Sequence, residues 1–289
     1  MMQQTSPVAA SGSFTLGGDL KVNRLGFGTM RLTGKGIWGP PADKQEALAV
    51  LRRAVESGVN FIDTADSYGP GISEELIAEA LYPYPAELVI ATKGGFQRPG
   101  PGQWVPDGRP EHLREAIEGS LKRLRLKRIE VYFLHTPDPK VPLELSVGEL
   151  ERLREAGKIH HIGLSNVSKS QFTRARQIAP IAAIQNQYNL LDRTSEEVVE
   201  VCERAGLAFI PWFPLAAGQL AHPGGALDQI ARARHAATSQ IALAWLLKRS
   251  GAMLPIPGTS KVSHLQELVA AAEIQLSESE FQTLAALRP

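Results

Sequence analysis

Phe61-Ile62-Asp63-Thr64-Ala65-Asp66-Ser67-Tyr68 opens as a short apolar run and turns polar at its end, and the same change recurs down the chain. Val89-Ile90-Ala91-Thr92 runs into Lys93, Tyr132-Phe133-Leu134 into His135, Ile162-Gly163-Leu164 into Ser165-Asn166, and Ile184 into Gln185 and Gln187. Runs this short and nearly continuous in apolar character read as strands buried on both faces. Strands are predicted over 25–27, 60–63, 88–92, 130–135, 161–165, 181–186, 208–211 and 253–256.

Amphipathic helices fill the intervals. Residues 43–57 place Ala47, Leu51, Ala54 and Val55 on one stripe and stop before Gly58, a suitable C′ residue. Residues 110–125 open on Pro110 and space Leu113, Ala116, Ile117, Leu121 and Leu124 helically, and 238–248 do the same with Ile241, Ala244 and Trp245. Ser146, Ser168, Thr194, Ser263 and Ser277 each stand three residues before Glu or Gln, the spacing of a capping box, and mark further helix starts. Ahead of the first strand, Gly17-Gly18-Asp19 between apolar pairs reads as a hairpin turn, placed to plug the bottom of the sheet.

Strand–helix alternation implies a parallel sheet with crossovers, and 289 residues suit one closed barrel of about 250. The expected fold is therefore α/β, a single (β/α)8 barrel with an N-terminal hairpin and extra C-terminal helices. No linker divides it: one domain spans 1–289, with about the first twelve residues flexible. The 31 Lys+Arg against 30 Asp+Glu leave a net charge of +1, so no global field draws nucleic acid or an anionic membrane. Small molecules are the expected partners, and a monomer the expected state. The single cysteine, Cys202, excludes an internal disulfide framework, and no apolar run approaches the ~20 residues that span a bilayer. The N-terminus lacks the basic and apolar regions of a secretory signal, so a cytoplasmic protein is expected.

In such a barrel the active site forms at the C-terminal ends of the strands, where Asp63, Lys93 and His135 stand, with Tyr68 five residues beyond Asp63. Singly each has a plain alternative: a cap, a solvated charge, a buried histidine, a packed ring. Together they supply a reaction. Reducing a carbonyl by hydride needs a proton donor at the developing alkoxide. A phenol serves if a nearby cation, here Lys93 held by Asp63, favours the phenolate and makes Tyr68 a better acid. His135 would donate to the carbonyl oxygen. No nucleophile–base pair and no second catalytic carboxylate suggests a hydrolase.

Phe61-Ile-Asp63-Thr-Ala-Asp-Ser-Tyr68-Gly, Ala91-Thr-Lys93-Gly-Gly, Phe133-Leu-His135, Ile162-Gly-Leu-Ser165-Asn166 and Gln185-Asn-Gln187-Tyr188-Asn resemble motifs of the aldo-keto reductase family over 13–285. The resemblance implies that Asp63, Tyr68, Lys93 and His135 match the family's catalytic tetrad. It further implies that Ser165, Asn166 and Gln187 hold a nicotinamide carboxamide, that Trp212 stacks on the ring, and that the Phe213-Pro-Leu215-Ala-Ala-Gly218 backbone approaches the pyrophosphate. Trp212 as ordinary core is the alternative. No Gly-x-Gly-x-x-Gly unit is present. Gly258-Thr-Ser260-Lys261 instead precedes a helix after the last strand, where a barrel phosphate site is expected. The resemblance gives Ser260 and Lys261 to an adenosine 2′-phosphate, against the reading of Lys261 as a solvated charge. His264 stands where many members have Arg, and Leu268 where many have Asn, so NADPH is expected ahead of NADH on incomplete grounds.

Trp38 and Trp104, in Gly- and Pro-rich loops over 31–41 and 94–109, are expected either to wall the substrate pocket or to anchor those loops. Their surroundings, Gly-Ile-Trp38-Gly-Pro-Pro and Gly-Pro-Gly-Gln-Trp104, resemble a bacterial subgroup that includes pyridoxal reductases. No metal site is expected: His112 and Glu115 lack partners, and adjacent His160 and His161 should point to opposite faces of a strand. The basic run 122–128 is broken by leucines and reads as a solvated helix end. The competing class is a non-catalytic NADPH-binding regulatory subunit of the same fold.

Overall fold

All but the last of the apolar runs become strands whose alternate side chains face opposite ways, and that alternation builds two cores at once. The computed structural model describes residues 6–216 and 224–287. An antiparallel hairpin, β1 (Ser13–Leu16) and β2 (Leu20–Asn23), leads into β3 (Phe27–Gly28) and α1 (Lys44–Glu56). Then come β4 (Phe61–Asp63), α2 (Ile72–Leu81), β5 (Val89–Gly94), a two-residue ribbon of β6 (Phe96–Gln97) and β7 (Val105–Pro106), and α3 (Pro110–Leu124). The order continues β8 (Ile129–Leu134), α4 (Leu143–Glu155), β9 (Ile159–Ser165), α5 (Lys169–Ala175), β10 (Ile181–Gln187), α6 (Glu196–Ala205) and β11 (Ala208–Trp212). Helices α7 (Ala226–Ala233), α8 (Thr238–Arg249), α9 (Val262–Ala270) and α10 (Glu278–Ala285) complete it.

The main sheet is parallel in the order β11-β10-β9-β8-β5-β4-β3. The predicted eighth strand is present only as an extended segment with a single bridge, Met253 to Phe209. Pro255 and Pro257 explain this, since each lacks the N–H a ladder requires. Their carbonyls still serve: Gly26 N donates to Pro255 O (3.0 Å) and Gly28 N to Pro257 O (3.1 Å), while Leu254 N donates to Phe209 O (2.8 Å). The segment thereby joins both sheet edges and closes the barrel, as expected.

Phe61, Val89, Ala91, Val131, Phe133, Ala183, Ala208 and Ile210 fill the barrel interior, together with Leu16 and Val22 of the hairpin, so the hairpin does plug the bottom. Their neighbours Ile62, Ile90, Tyr132, Leu134, Ile162 and Leu164 pack outward beneath the helices. Gly163 is required by this packing, because a Cβ there would lie 2.2 Å from the Phe133 ring. Cys202 is buried in the outer core, as expected of helix packing.

Capping-box spacing marks a true helix start at only some of its positions. Ser168 and Ser277 do form capping boxes. Ser146 instead lies inside α4, its hydroxyl donating to Gly108 O (2.6 Å), because α4 begins at Leu143. Ser263 lies inside the first turn of α9, and Thr194 donates to Asp192 ahead of α6. Pro7–Ser11, within the end expected to be flexible, form a short 3-10 helix with Val8 buried. His160 and His161 do not diverge: both rings reach the Asp19 carboxylate, since an imidazole at a strand's first residues can swing round its end. Among the described residues, no helix is long and apolar enough to cross a membrane.

Candidate active site

Continuing the inward alternation past the apolar layer predicts which polar side chains enter the barrel mouth. Phe61 is followed two residues on by Asp63, Ala91 by Lys93, Phe133 by His135, Gly163 by Ser165, Ala183 by Gln185 and Ile210 by Trp212. Period two therefore delivers a polar ring directly above an apolar plug.

Lys93 is fully buried, and its ammonium meets three oxygens: Asp63 Oδ2 at 2.6 Å, Thr64 O at 2.8 Å and Tyr68 Oη at 3.5 Å. Three protons thus find three acceptors, as a buried ammonium requires. Burial by itself would lower the Lys93 pKa, but attraction from Asp63 and Tyr68 outweighs it and holds the ammonium above its ordinary value. Burial pushes the Asp63 carboxyl up, against the pull of Lys93 and of Gln185, whose Nε2 donates to Asp63 Oδ1 at 2.8 Å. The short contact and the firmly protonated lysine make this an ion pair.

Tyr68 departs from the simple expectation. Lys93 does draw its pKa down, yet burial pushes it up harder and Asp63 adds to the rise, so the phenol stays protonated. His135 goes the other way: burial, then Lys93 and Arg98, hold it well below the usual imidazole range. It is neutral at neutral pH. Ser67 Oγ lies 3.3 Å from its Nδ1, and a proton donated there leaves the ring's own proton on Nε2.

Asp63, Tyr68, His135 and Gln185 border a cleft of about 550 Å³, with Lys93 buried behind them. Trp104 and Phe96 wall it beside the imidazole, with ring centroids 6.2 and 4.8 Å from that of His135. Trp38 is not on the wall; it stands behind, against Arg98. That arginine was not anticipated. Its guanidinium lies 3.6 Å from the Trp104 ring and donates to Ser67 O (2.6 Å), Gln103 O (2.7 Å) and Gly36 O (3.1 Å), tying three loops together. Its only sequence signal was a cation in a Gly- and Pro-rich loop.

Farther along the cleft stand Ser165, Asn166, Trp212, Phe213, Leu215 and Gly258. Asn166 links three strand ends, donating to His135 O (2.9 Å) and accepting from Trp212 Nε1 (3.1 Å). It and Phe213 hold left-handed backbone, φ 58° and 59°, a strain that clusters at functional sites. Gln185 lines the cleft, whereas Gln187, two residues later at the end of its strand, is not among the lining residues. Gly218 lies outside the described residues. Ser260, Lys261 and His264 are exposed around the start of α9, with Lys261 as its N-cap. Glu46 reaches the same helix end and accepts from Val262 N at 2.9 Å, a long-range contact with no sequence signature.

A sequence profile for the aldo/keto reductase family matches residues 24–289. An uncharacterized oxidoreductase of Schizosaccharomyces pombe is 52% identical over 267 residues, covering 92% of this chain and 87% of that protein. Pyridoxine 4-dehydrogenase of Escherichia coli is 42% identical over 282 residues, 95% of this chain and 98% of that one. Among solved structures, an aldo-keto reductase from Klebsiella pneumoniae in complex with NADPH superposes with a TM-score of 0.80 at 27% identity, covering 94% of this chain and 93% of the other. Profile, sequence identity and superposition agree across nearly the same residues, and the chain belongs to the aldo/keto reductase family.

Proposed function

We propose that the protein is an NADPH-dependent carbonyl reductase that converts aldehydes or ketones to alcohols, and runs in reverse when alcohol is in excess. The observation that carries this is Tyr68 Oη lying 3.5 Å from a fully buried Lys93 ammonium at the edge of the cleft. Tyr68 holds its proton at working pH and gives it to the carbonyl oxygen. Lys93 steadies the phenolate left behind, and Asp63 keeps Lys93 in place. Neutral His135 donates from Nε2 to the same oxygen and orients the substrate.

The cleft fits a dinucleotide laid from the strand ends toward α9. Trp212 offers a partly exposed ring at one end, Gly258 lines the cleft farther along, and Ser260 and Lys261 stand at a helix N-terminus suited to phosphate. Ser165, Asn166 and Gln185 would hold the carboxamide, and bound NADPH would supply the hydride. The NADPH complex of the Klebsiella relative supports the cofactor. Glu46, already on the Val262 amide, places a negative charge near that phosphate and tempers preference for NADPH over NADH.

For substrate we favour a planar aromatic aldehyde of the pyridoxal kind, on the aromatic wall of Trp104 and Phe96 and on the 42% identity to pyridoxine 4-dehydrogenase. NADPH consumption with pyridoxal, a simple aromatic aldehyde and a sugar aldehyde tests it: pyridoxal should turn over fastest, and a flat response to it would remove that assignment. Tyr68→Phe should lose reduction by about 10²–10⁴-fold while still binding NADPH. A variant as active as the parent would remove Tyr68 as the proton donor, whereas NADPH binding without turnover in both proteins would favour the regulatory-subunit reading.

A further inference from the structure

The end of the barrel opposite the cleft holds a second cluster of chemically capable side chains. Asp19, at the hairpin turn between β1 and β2, directs Oδ2 to His160 Nε2 at 2.7 Å and Oδ1 to His161 Nε2 at 2.6 Å. The two rings lie 4.1 Å apart, tilted by 48°. Among the described residues this is the one trio of His, Cys, Asp or Glu whose ligand atoms lie within 4.8 Å of one another.

The fold holds the trio in place. Leu16 and Val22 anchor the hairpin in the barrel interior, so the turn between them is not free to drift. Gly17, at φ 66°, leaves space for His161: a Cβ there would come 2.3 Å from its ring. Asp19 is half exposed, His160 and His161 less so, which gives access from solvent and an open side for further ligands.

We propose that Asp19, His160 and His161 bind a divalent transition-metal ion of the zinc type, through both Nε2 atoms and one carboxylate oxygen, with water completing the shell. Two imidazoles and a carboxylate suit zinc or cobalt, whereas magnesium and calcium prefer oxygen alone. Tetrahedral bonds of about 2.0 Å place ligand atoms about 3.3 Å apart, so small side-chain rotations from the hydrogen-bonded arrangement suffice. Binding displaces the protons now shared between Asp19 and the rings. His161 and Ser165 lie four residues apart on β9, about 13 Å along the strand, so the ion takes no part in carbonyl chemistry. It staples the hairpin plug to the start of β9.

The test uses the untagged full-length protein, stripped with chelator and titrated with Zn²⁺ by calorimetry and with Co²⁺ by visible absorption. We expect one ion per chain, a tetrahedral Co²⁺ spectrum, a higher Tm with Zn²⁺ and unchanged aldehyde reduction. Asp19→Asn and, separately, His160→Gln should each weaken Zn²⁺ binding at least about tenfold. Their metal-free melting curves report folding independently. Absence of binding to the parent, or equal binding by both folded variants, would overturn the proposal and leave the trio as a hydrogen-bonded clasp.

Discussion

Replacing Lys93 by Met leaves an unbranched side chain only one atom shorter and removes its charge, which isolates the electrostatic role. With the ammonium 3.5 Å from Tyr68 Oη, an effective dielectric of about 20 puts their interaction at roughly 5 kcal/mol as the phenolate forms. Part of that is felt in the transition state, so kcat should fall by about 10²–10⁴-fold. Removing one partner of a buried pair also costs stability, about 3–5 kcal/mol, since Asp63 retains only the Gln185 contact among its charged and amide partners. Asp63→Asn added to Lys93→Met takes away the stranded charge, so the double variant should recover much of the lost Tm and none of the lost rate. The assay is steady-state NADPH oxidation with aldehyde, alongside quenching of tryptophan fluorescence by NADPH and a thermal melt. A folded Lys93→Met protein that binds NADPH and reduces aldehyde within tenfold of the parent would refute the assignment of the cation to Tyr68.

The pH dependence follows from two opposite displacements. His135 is held well below 6.5 and stays neutral, while Tyr68 is pushed above 10.0, so kcat/KM for reduction should be level from about pH 6 to 9 and fall only in alkali; an acid limb near pH 6.5 would show His135 titrating instead. Lys261→Ala should weaken NADPH about tenfold and leave NADH unchanged, an effect that shrinks with added salt because the lysine is exposed. Equal losses for both cofactors would remove Lys261 from the 2′-phosphate site. Burial and the nearby Glu74 push the Asp66 carboxyl from 3.8 up to about 8, so the folded chain keeps a proton that the unfolded chain releases. That contribution to stability is complete below pH 3.8 and is lost as pH rises to about 8, so the parent's Tm should drop across this range. Asp66→Asn should flatten the curve; an equally steep curve in that variant contradicts the buried acid.

Much of the molecule was legible because local periodicity is a local property. Period two along each strand decides which side chains face inward, and the residues that follow Phe61, Ala91 and Phe133 on that face are Asp63, Lys93 and His135. Helical spacing located α1, α3 and α8 within a residue or two of their ends. Capping boxes were less reliable: Ser146 has the right spacing, yet its hydroxyl is taken by Gly108 from another segment.

By itself, then, the chain's order of residue types determined the (β/α)8 architecture, the plugging hairpin and the membership of the polar ring. Tertiary structure alone decided how those groups behave. Barrel closure through Pro255 and Pro257 rests on carbonyls accepting from Gly26 and Gly28, more than two hundred residues away along the chain. Convergence of His160 and His161 on Asp19, the Arg98 clasp and Glu46 at the start of α9 are likewise contacts between distant segments. The direction of the Tyr68 shift is a sum over burial and surrounding charges, and neither has a value until the chain has enclosed the site.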